Sequence, residues 1–385
     1  MRTPHLIDRL SGFGTTIFAE MSALAVQTSS VNLGQGFPDT DGPPELLDAA
    51  VAAIRQGRNQ YPPGPGVPEL RAAIARHSKR FGGLEFDPDS EVLVTTGATE
   101  AIAATILALC EPGDEVVVFE PLYDSYAATI ALAGARRRVV TLRAPDWTFD
   151  PDELRAAVTD RARLILLNTP HNPTGKVFSR AELDLIAQIA AERDLLVVTD
   201  EVYEHLVFEG THIPFATLPG MAERTVTISS AGKTFNVTGW KIGWVCADAE
   251  LVTAVRTVKQ FLTFVSGGPF QPAVAAALDL GEEYFTALAA GMRQRRDLLC
   301  DGLERAGFTV FRPAATYFAT VDVRGTGYPD GVAFCRDLPH RVGVVAIPSG
   351  VFYDTDAGRS LVRFAFCKRP EVLDEAVRRL ARLRG

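Results

Sequence analysis

Short apolar runs alternate with helical patterns through the middle of this 385-residue chain. Runs rich in β-branched residues predict strands at residues 92–96, 115–119, 137–142, 164–168, 195–199, 225–229 and 243–246. Helical patterns lie between them, including 98–110 and 180–193. Because parallel strands need crossover segments, this alternation predicts an α/β fold with a mostly parallel sheet and helices on both faces.

The C-terminal part of the chain has a different pattern. A long helical pattern from about 282 to 306 is followed by predicted strands at 317–323, 342–347 and 361–366 and helices near 331–338 and 370–383. These elements predict a smaller α+β domain. We expect residues 1–40 to form an N-terminal arm and part of the small domain, 41–280 the large domain and 281–385 the small domain.

Composition and charge narrow the class of protein. The formal net charge of −8 argues against nucleic-acid binding. A signal-peptide core and an apolar run of about eighteen residues are both missing, which predicts a cytoplasmic protein that does not enter the membrane. The five scattered cysteines fit buried thiols in a reducing compartment. The six histidines show no metal-ligand spacing, so we predict no metal site.

Polar and small residues directly follow several predicted strands. They occur at 97–99, 168–175, 200–203 and 229–233. Ligands of open α/β sheets bind beyond the carboxyl ends of the strands. These four segments therefore predict a binding site at that edge of the sheet.

One lysine in these segments has an unusual setting. Lys233 lies between Gly232 and Thr234 after an apolar strand, and a second cation, Lys241, follows eight residues later. Crowding by small residues and the nearby cation would lower the pKa of Lys233, and a neutral amine can form a Schiff base with an aldehyde. Ser230 and Lys241 suit a phosphate monoester. An aldehyde with a phosphate group is pyridoxal 5′-phosphate; the alternative is a turn lysine with a chance basic neighbour.

Three further residues fit a pyridine ring. Asp200 ends a predicted strand, where it is either a helix-capping or turn residue or a carboxylate that keeps the ring nitrogen protonated. Tyr203 and Asn172 could hydrogen-bond the ring 3′-oxygen, or be a half-buried aromatic and a plain turn residue. Asn172 lies in a loop with two X-Pro bonds, one or both of which could be cis. We interpret His171, in the same loop, as a loop side chain and not as a catalytic base.

The remaining candidates come from other segments. The turn at Ala98 and Thr99 precedes a helix and offers backbone N–H groups to a phosphate, as many βα turns do. Tyr123 is either a core residue or placed to stack on an aromatic ring. Arg363 lies inside the apolar segment LVRFAF, so it requires an anionic partner or a very polar pocket. That partner is either a structural carboxylate or the carboxylate of a substrate.

Seven segments form a specific combination over nearly the full length of the chain. They are VNLGQGFPD (31–39), NQYPPGPG (59–66), EVLVTTGATEAI (91–102), NTPHNPTGKVFS (168–179), TDEVYEHLVF (199–208), SSAGKTFNVTGWKIGW (229–244) and VRFAFCK (362–368). In this order they resemble the fold-type-I, pyridoxal-phosphate-dependent aminotransferases of class I/II. The likeness is to the branch with kynurenine aminotransferase (glutamine transaminase K) and the actinobacterial N-succinyldiaminopimelate aminotransferases. It implies a seven-stranded-type sheet sandwiched by helices and a smaller α+β domain.

The resemblance also implies how the cofactor would be held. Lys233 would be the Schiff-base lysine and the base that moves the substrate proton, and Asp200 would pair with the pyridine nitrogen. Tyr203 and Asn172 would hold the 3′-oxygen, and Tyr123 would stack on the ring. The phosphate would be bound by Ser230, Lys241 and the backbone of Ala98 and Thr99.

Substrate and subunit contacts follow from the same resemblance. Arg363, helped by Asn172, would clamp the α-carboxylate, and Gly36 and Phe18 would border the substrate. Tyr61 would reach the phosphate of the neighbouring subunit, so a homodimer with shared active sites would be the working unit. Two positions differ from the kynurenine branch, which has a tryptophan at the position of Phe18 and a glycine-tyrosine version of the turn at 97–100.

The implied activity is ping-pong transamination between an amino acid and a 2-oxo acid. The expected donor is aromatic or kynurenine-like, glutamine-like, or N-succinyldiaminopimelate. Residues 257–292 contain no arginine, which argues against an enzyme dedicated to aspartate. Side chains that would suit larger donors, or equally the core, are Phe18, Tyr123, Phe261, Phe264 and Phe270. Two alternatives keep the cofactor: a β-lyase acting on cysteine conjugates, and a non-catalytic regulator.

Overall fold

A computed structural model describes residues 5–14 and 16–384 of the chain; residues 1–4 and 15 of the predicted N-terminal arm lie outside the described residues. Its α-helices are α1 (Ile17–Gln27), α2 (Pro44–Arg55), α3 (Pro68–Gly82), α4 (Gly97–Leu109), α5 (Asp124–Leu132), α6 (Pro151–Ala157), α7 (Arg180–Glu192), α8 (Ala231–Thr234), α9 (Ala249–Leu262), α10 (Phe270–Leu278), α11 (Glu282–Arg305), α12 (Gly331–Val342) and α13 (Pro370–Leu380).

The strands of the described residues are β1 (Val31–Asn32), β2 (Val92–Thr95), β3 (Glu115–Glu120), β4 (Arg136–Thr141), β5 (Ala162–Asn168), β6 (Leu196–Asp200), β7 (Thr225–Ser230), β8 (Gly243–Cys246), β9 (Thr309–Phe311), β10 (Phe318–Asp322), β11 (Val344–Val345), β12 (Ile347–Pro348) and β13 (Leu361–Ala365). The strands predicted for the middle of the chain correspond to β2–β8, with ends shifted by at most two residues.

These middle strands form one sheet in the order β2-β8-β7-β6-β5-β3-β4. Strands β7, β6, β5, β3 and β4 run parallel to one another, whereas β8 is antiparallel to both β2 and β7. The predicted mostly parallel sheet of seven strands is therefore confirmed. Its antiparallel element is β8, which directly follows the segment with the two lysines.

Helices cover both faces of this sheet. Successive strand residues point to opposite sides, and both sets of side chains are apolar, so each face needs a covering layer. Val116 and Val118 of β3 pack in one core with α4, α5 and α9, whereas Val117 packs in another with α6 and α7. Strands buried on both faces have continuous apolar sequences, which is why β3 and β6 were recognisable as short runs. The two layers of helices hold the carboxyl ends of β5, β6 and β7 in place.

The C-terminal part forms a second, antiparallel sheet in the order β12-β13-β10-β9. Helices α11, α12 and α13 pack with it in a shared core. β1 pairs in parallel with β11, with Val31 opposite Val344, so the N-terminal segment joins this part of the molecule. The smaller α+β arrangement is as predicted; the residue boundaries of the two domains stay a prediction.

The structure differs from the sequence prediction between β10 and β13. The helix predicted to end near 338 ends four residues later, and the strand predicted at 342–347 starts later and is divided in two. Helix α12 continues past Pro339 to Val342 and ends at Gly343, whose φ of 71° lies in the left-handed region that favours glycine. Two short strands, β11 and β12, follow it. None of the helices in the described residues is both long and apolar enough to cross a membrane.

Candidate active site

A cavity of about 360 Å³ lies at the carboxyl ends of β5, β6 and β7, beside the start of α4. Its lining includes every predicted site residue except Tyr61, namely Phe18, Gly36, Ala98, Thr99, Tyr123, Asn172, Asp200, Tyr203, Ser230, Lys233, Lys241 and Arg363. The structure therefore has a cavity at the edge of the sheet where the sequence predicted a binding site.

Lys233 lies on α8, the short helix that directly follows β7. Its Nζ is 5.6 Å from the ring centre of Tyr317 and 5.9 Å from that of Tyr203. Burial lowers the pKa of Lys233 to about 8, and Lys241 and Arg363 act in the same direction. The sequence indicated the direction of this shift, but its main cause is burial and not the neighbouring cation.

This lowered pKa predicts how Lys233 reacts. In the cofactor-free chain, we expect labelling of Lys233 by an amine-reactive probe to accelerate up to about pH 8 and then level off, because only the neutral amine is nucleophilic. Ordinary exposed lysines gain reactivity up to about pH 10. Competitive labelling read by peptide mass spectrometry measures both profiles in one sample. A Lys233 profile that coincides with the exposed lysines would contradict the lowered pKa.

Asp200 is the last residue of β6, and its side chain is buried. The Tyr126 hydroxyl donates a hydrogen bond to Asp200 Oδ2 at 2.6 Å, and the Asn168 side-chain amide donates to the Asp200 carbonyl at 2.8 Å. The next helical segment begins at Phe215, so Asp200 does not cap a helix. Burial raises the pKa of Asp200. A cationic group of a ligand in the cavity would offset this cost of burying a carboxylate.

The loop at 168–175 places Asn172 in the cavity lining. The peptide bonds before Pro170 and Pro173 are both cis. The Asn172 N–H donates to Asn168 Oδ1 at 2.7 Å, which orients the loop. His171 is buried away from the cavity lining, and burial lowers its pKa to about 3. These observations fit the interpretation of His171 as a loop side chain and not a catalytic base.

Arg363 lies on β13 and is buried. Its Nη1 donates to Asn172 Oδ1 at 3.2 Å and its Nη2 to the Gly34 carbonyl at 3.1 Å, while the guanidinium lies 4.0 Å from the Phe318 ring centre. The buried Nε has no hydrogen-bond partner among residues 5–14 and 16–384. Burial lowers the pKa of Arg363 to about 10. A buried guanidinium with neutral acceptors and a free donor is suited to a carboxylate from a ligand.

The start of α4 brings donor groups to the same cavity. Helix α4 begins at Gly97, so Ala98 and Thr99 carry N–H groups of the first turn of a 13-residue helix. Lys241 lies close to this turn. A Cβ atom built on Gly97 would be 3.2 Å from the Nζ of Lys241. Ser230, the last residue of β7, also lines the cavity. Backbone N–H groups, an ammonium and a hydroxyl at one place are the donors that a phosphate group requires.

Tyr123, Phe18 and Gly36 border the rest of the cavity. Tyr123 directly precedes α5, with its ring centre 5.6 Å from that of Tyr126. A Cβ on Gly36 would lie 2.5 Å from a ring carbon of Phe318, so a larger residue there would displace that ring. Tyr123 is therefore a cavity residue and not only part of the core.

Four aromatic residues named in the sequence analysis lie outside the cavity lining. Tyr61 is 82% exposed and packs edge-on against Phe264, with ring centres 5.6 Å apart. Phe261 is also 82% exposed, and Phe270 stacks on Trp240. The idea that Phe261, Phe264 and Phe270 face the substrate is wrong for the cavity of one chain, because none of the three lines it. The role of Tyr61 toward a neighbouring subunit stays a prediction.

The structure also brings in residues that the sequence analysis missed. Tyr126 donates to Asp200, and Gln35 and Phe318 line the cavity. Tyr126 had a usable signal, because it follows Tyr123 by three residues at the start of a helical pattern. Phe318 had no such signal, since its place beside the Arg363 guanidinium depends on the pairing of β10 with β13.

Comparison with known proteins agrees with this geometry. Residues 28–380 match the family model for aminotransferase class I and II. A solved structure of N-succinyldiaminopimelate aminotransferase from Mycobacterium tuberculosis is 55% identical, covers 98% of this chain and 100% of its own, and superposes with a TM-score of 0.96. Methionine aminotransferase of Escherichia coli is 42% identical, with 98% of each chain covered. Kynurenine–oxoglutarate transaminase 3 of Mus musculus is 38% identical, with 96% of this chain and 88% of that protein covered.

The chain belongs to the class I and II aminotransferases. The family model spans most of the chain, and the similar proteins named above are aminotransferases and not lyases or regulators. Transamination is therefore the activity that the family and the relatives support.

Proposed function

We propose that this aminotransferase uses pyridoxal 5′-phosphate, attached through Lys233, to exchange an amino group between an amino acid and a 2-oxo acid. One observation carries the proposal: an amine of lowered pKa shares a cavity with a buried guanidinium whose Nε has no partner in the described part of the chain. The amine suits an aldehyde, and the guanidinium suits the α-carboxylate that every amino acid and 2-oxo acid carries.

The residues of the cavity fit this cofactor. The first turn of α4, Ser230 and Lys241 supply donors for its phosphate, and the buried carboxylate of Asp200 supplies an anion for its ring nitrogen. When bound, the cofactor provides a pyridine ring that takes up the electron pair released at the substrate α-carbon. The pKa of Asp200 is raised by burial, and a protonated ring nitrogen would stabilise its ionised form.

Each side chain has a defined task in this proposal. Lys233 removes the proton from the α-carbon of the donor and, in the second half-reaction, returns a proton to the α-carbon of the acceptor. Asp200, oriented by Tyr126, holds a proton on the ring nitrogen. Tyr203 and Asn172 would hydrogen-bond the 3′-oxygen. The residues that would position the ring and phosphate are Tyr123, Ala98, Thr99, Ser230 and Lys241.

A single carboxylate site favours a ping-pong order. Arg363 would bind the α-carboxylate with its free Nε and an Nη group, next to Asn172. Donor and acceptor carry the same α-carboxylate, so both would need this one guanidinium. The donor product must therefore leave before the acceptor binds.

The cavity lining narrows the substrate class. Among the described lining residues the cationic side chains are Lys233, Lys241 and Arg363, and each already has a task. A short dicarboxylic donor such as aspartate would find no further cation among these described lining residues. Phe18, Gly36 and Phe318 border the space for the substrate. We propose a donor with an apolar side chain, or with a long one whose further polar groups reach beyond these lining residues. N-succinyldiaminopimelate, which carries two more carboxylates on its long side chain, comes first because an enzyme of that name is 55% identical, and kynurenine, aromatic, glutamine-like and methionine donors come next.

A homodimer would complete the site. Tyr61 and Phe264 form an exposed aromatic patch, and Phe261, three residues before Phe264, is exposed as well. This patch adjoins the start of α4, where the Thr263 hydroxyl donates to Glu100 and lies 3.0 Å from the Thr96 hydroxyl. Covering the patch with a second copy would place Tyr61 near the partner's phosphate site, as the family resemblance implies. The five free, buried cysteines fit a reducing cytoplasm as the place of action.

A single-turnover panel tests the substrate proposal. The cofactor-loaded enzyme is mixed with one donor and no 2-oxo acid, and the absorbance of the bound cofactor and the 2-oxo acid formed are followed. We expect N-succinyldiaminopimelate or an aromatic donor to give one equivalent of 2-oxo acid per subunit, about 100-fold faster than aspartate. Pyruvate released repeatedly from β-substituted donors would instead support the β-lyase, and a cofactor that no donor changes would support the regulator.

A further inference from the structure

A second cavity, of about 280 Å³, lies on the other side of the ends of β6 and β7, next to β8. Neighbouring residues separate the two cavities: Ser230 lines the first and Ser229 the second, and likewise Asp200 lines the first and Glu201 the second. This separation follows from the alternation of side chains along β7 and around the end of β6. The transamination site uses none of the residues of the second cavity.

Two histidines and a carboxylate meet in this second cavity. The ligand atoms of His77, Glu204 and His205 all lie within 4.8 Å of one another. His77 Nε2 is 2.7 Å from His205 Nε2, and Glu204 Oε1 accepts a hydrogen bond from the Ser229 hydroxyl at 2.8 Å. His77 is on α3, far in sequence from the other two, so histidine spacing along the chain could not reveal the cluster.

We propose that His77, Glu204 and His205 bind a divalent transition-metal ion, with Zn²⁺ as the best match. Two imidazoles and one carboxylate are a common set of three protein ligands for zinc, and they leave a fourth position for water. This inference concerns a site separate from the proposed transamination chemistry and does not depend on it.

The groups around the cluster orient it as a metal site requires. His77 Nδ1 lies 3.3 Å from the Leu278 carbonyl, and a hydrogen bond donated there leaves the Nε2 lone pair for a metal. The Ser229 hydroxyl donates a hydrogen bond to Glu204 Oε1, which orients the carboxylate and leaves its other oxygen for a metal.

A third histidine supplies independent support. His212 lines the same cavity with only 9% of its side chain exposed, and its Nε2 pairs with Glu201 Oε2 at 2.8 Å. Its buried Nδ1 finds no hydrogen-bond partner within the described part of the chain. If the proton is on Nε2, the Nδ1 lone pair can accept a hydrogen bond from a metal-bound water. The water in the fourth ligand position would then donate a hydrogen bond to His212.

Binding requires one local change. Two nitrogens bound to a tetrahedral zinc lie about 3.3 Å apart, which is further than the 2.7 Å between the two Nε2 atoms. Without metal, a proton shared by the two rings holds them together. On metal binding, the proton between the two rings would move to His205 Nδ1, which frees the Nε2 atoms of both rings for the cation, and the rings would separate by about half an ångström.

Packing alone is the competing explanation. The rings of His77, Phe81, His205 and Phe285 contact one another with centre distances between 4.5 and 5.4 Å. Aromatic packing explains why the rings are together. It does not explain the carboxylate of Glu204 beside them or the unpartnered nitrogen of His212.

Metal titration of the cofactor-loaded enzyme tests the proposal, with Co²⁺ as a coloured substitute for Zn²⁺. We expect one Co²⁺ per subunit, visible bands typical of a low-coordinate site, and displacement of Co²⁺ by Zn²⁺. Glu204→Gln and His205→Gln should each weaken binding by about 100-fold or more. His340→Gln changes an exposed histidine of α12 and should leave binding unchanged.

Glu204→Gln is the deciding variant, because glutamine keeps the size of the side chain and an oxygen for the Ser229 hydroxyl. Its melting curve without metal should match that of the parent enzyme. Failure of the parent to bind Co²⁺ or Zn²⁺ stoichiometrically, or equal affinity in the parent and in Glu204→Gln, would overturn the proposal and leave a packing cluster.

Discussion

Lys233→Ala is expected to abolish transamination, with kcat/KM lower by at least about 1000-fold. The reason is that one amine would both attach the cofactor and move the α-proton. It can do so because burial lowers its pKa to about 8, which leaves a usable neutral fraction near neutral pH. Steady-state rates with the best donor, measured at saturating cofactor, give the size of the loss.

Two further variants separate the role of the amine from a general effect of charge. Lys233→Arg keeps a cation but has no neutral form at working pH, so it should be as inactive as the alanine variant. Lys79→Ala removes a lysine whose side chain is 66% exposed and should be fully active. Activity of Lys233→Arg within about tenfold of the parent would refute proton transfer by this side chain.

Arg363→Lys is expected to lower kcat/KM for amino-acid donors by about 100-fold or more, mainly through a higher KM. A lysine offers a point charge where the guanidinium offers a planar set of donors that matches a carboxylate. It would also lose the geometry of the two hydrogen bonds to Asn172 and Gly34 that hold the guanidinium in place. Initial rates over a range of donor concentrations separate KM from kcat.

A donor without an α-carboxylate is the matched control for this variant. The corresponding primary amine should react slowly, and equally slowly, with the parent and with Arg363→Lys. An equal loss for the amine and the amino acid would mean that Arg363 supports the fold of the site and does not bind the carboxylate. Thermal unfolding of both proteins, recorded in parallel, detects such a structural effect.

Much of the fold followed from local patterns in the sequence. Strands buried on both faces are continuous apolar runs, so β3, β5 and β6 could be placed within two residues. The rule that ligands bind at the carboxyl ends of such strands located the segments with Asn172, Asp200 and Lys233. The end of α12 was misplaced because Pro339 is accommodated inside that helix, while Gly343 ends it.

The site was predictable to the extent that its residues lie in segments next to strands. Lys233, Asp200 and Asn172 were recognised in this way, and the cavity contains all three. The burial that lowers the pKa of Lys233 depends on groups from distant segments, including Tyr317. The exposed positions of Phe261 and Phe264 could not be recognised either. The sequence gives only the residue type, and a phenylalanine can lie in a core, in a cavity or on an exposed surface.

What the sequence determined by itself is therefore the order of strands and helices, the family and the segments that carry the chemistry. Tertiary structure alone decided which side chains meet: Arg363 with Asn172, 191 residues apart, Tyr126 with Asp200, 74 apart, and His77 with His205, 128 apart. The physical reason is that periodicity encodes the face of an element on which a residue lies. Contacts across elements are set by how those faces pack, and no local pattern records them.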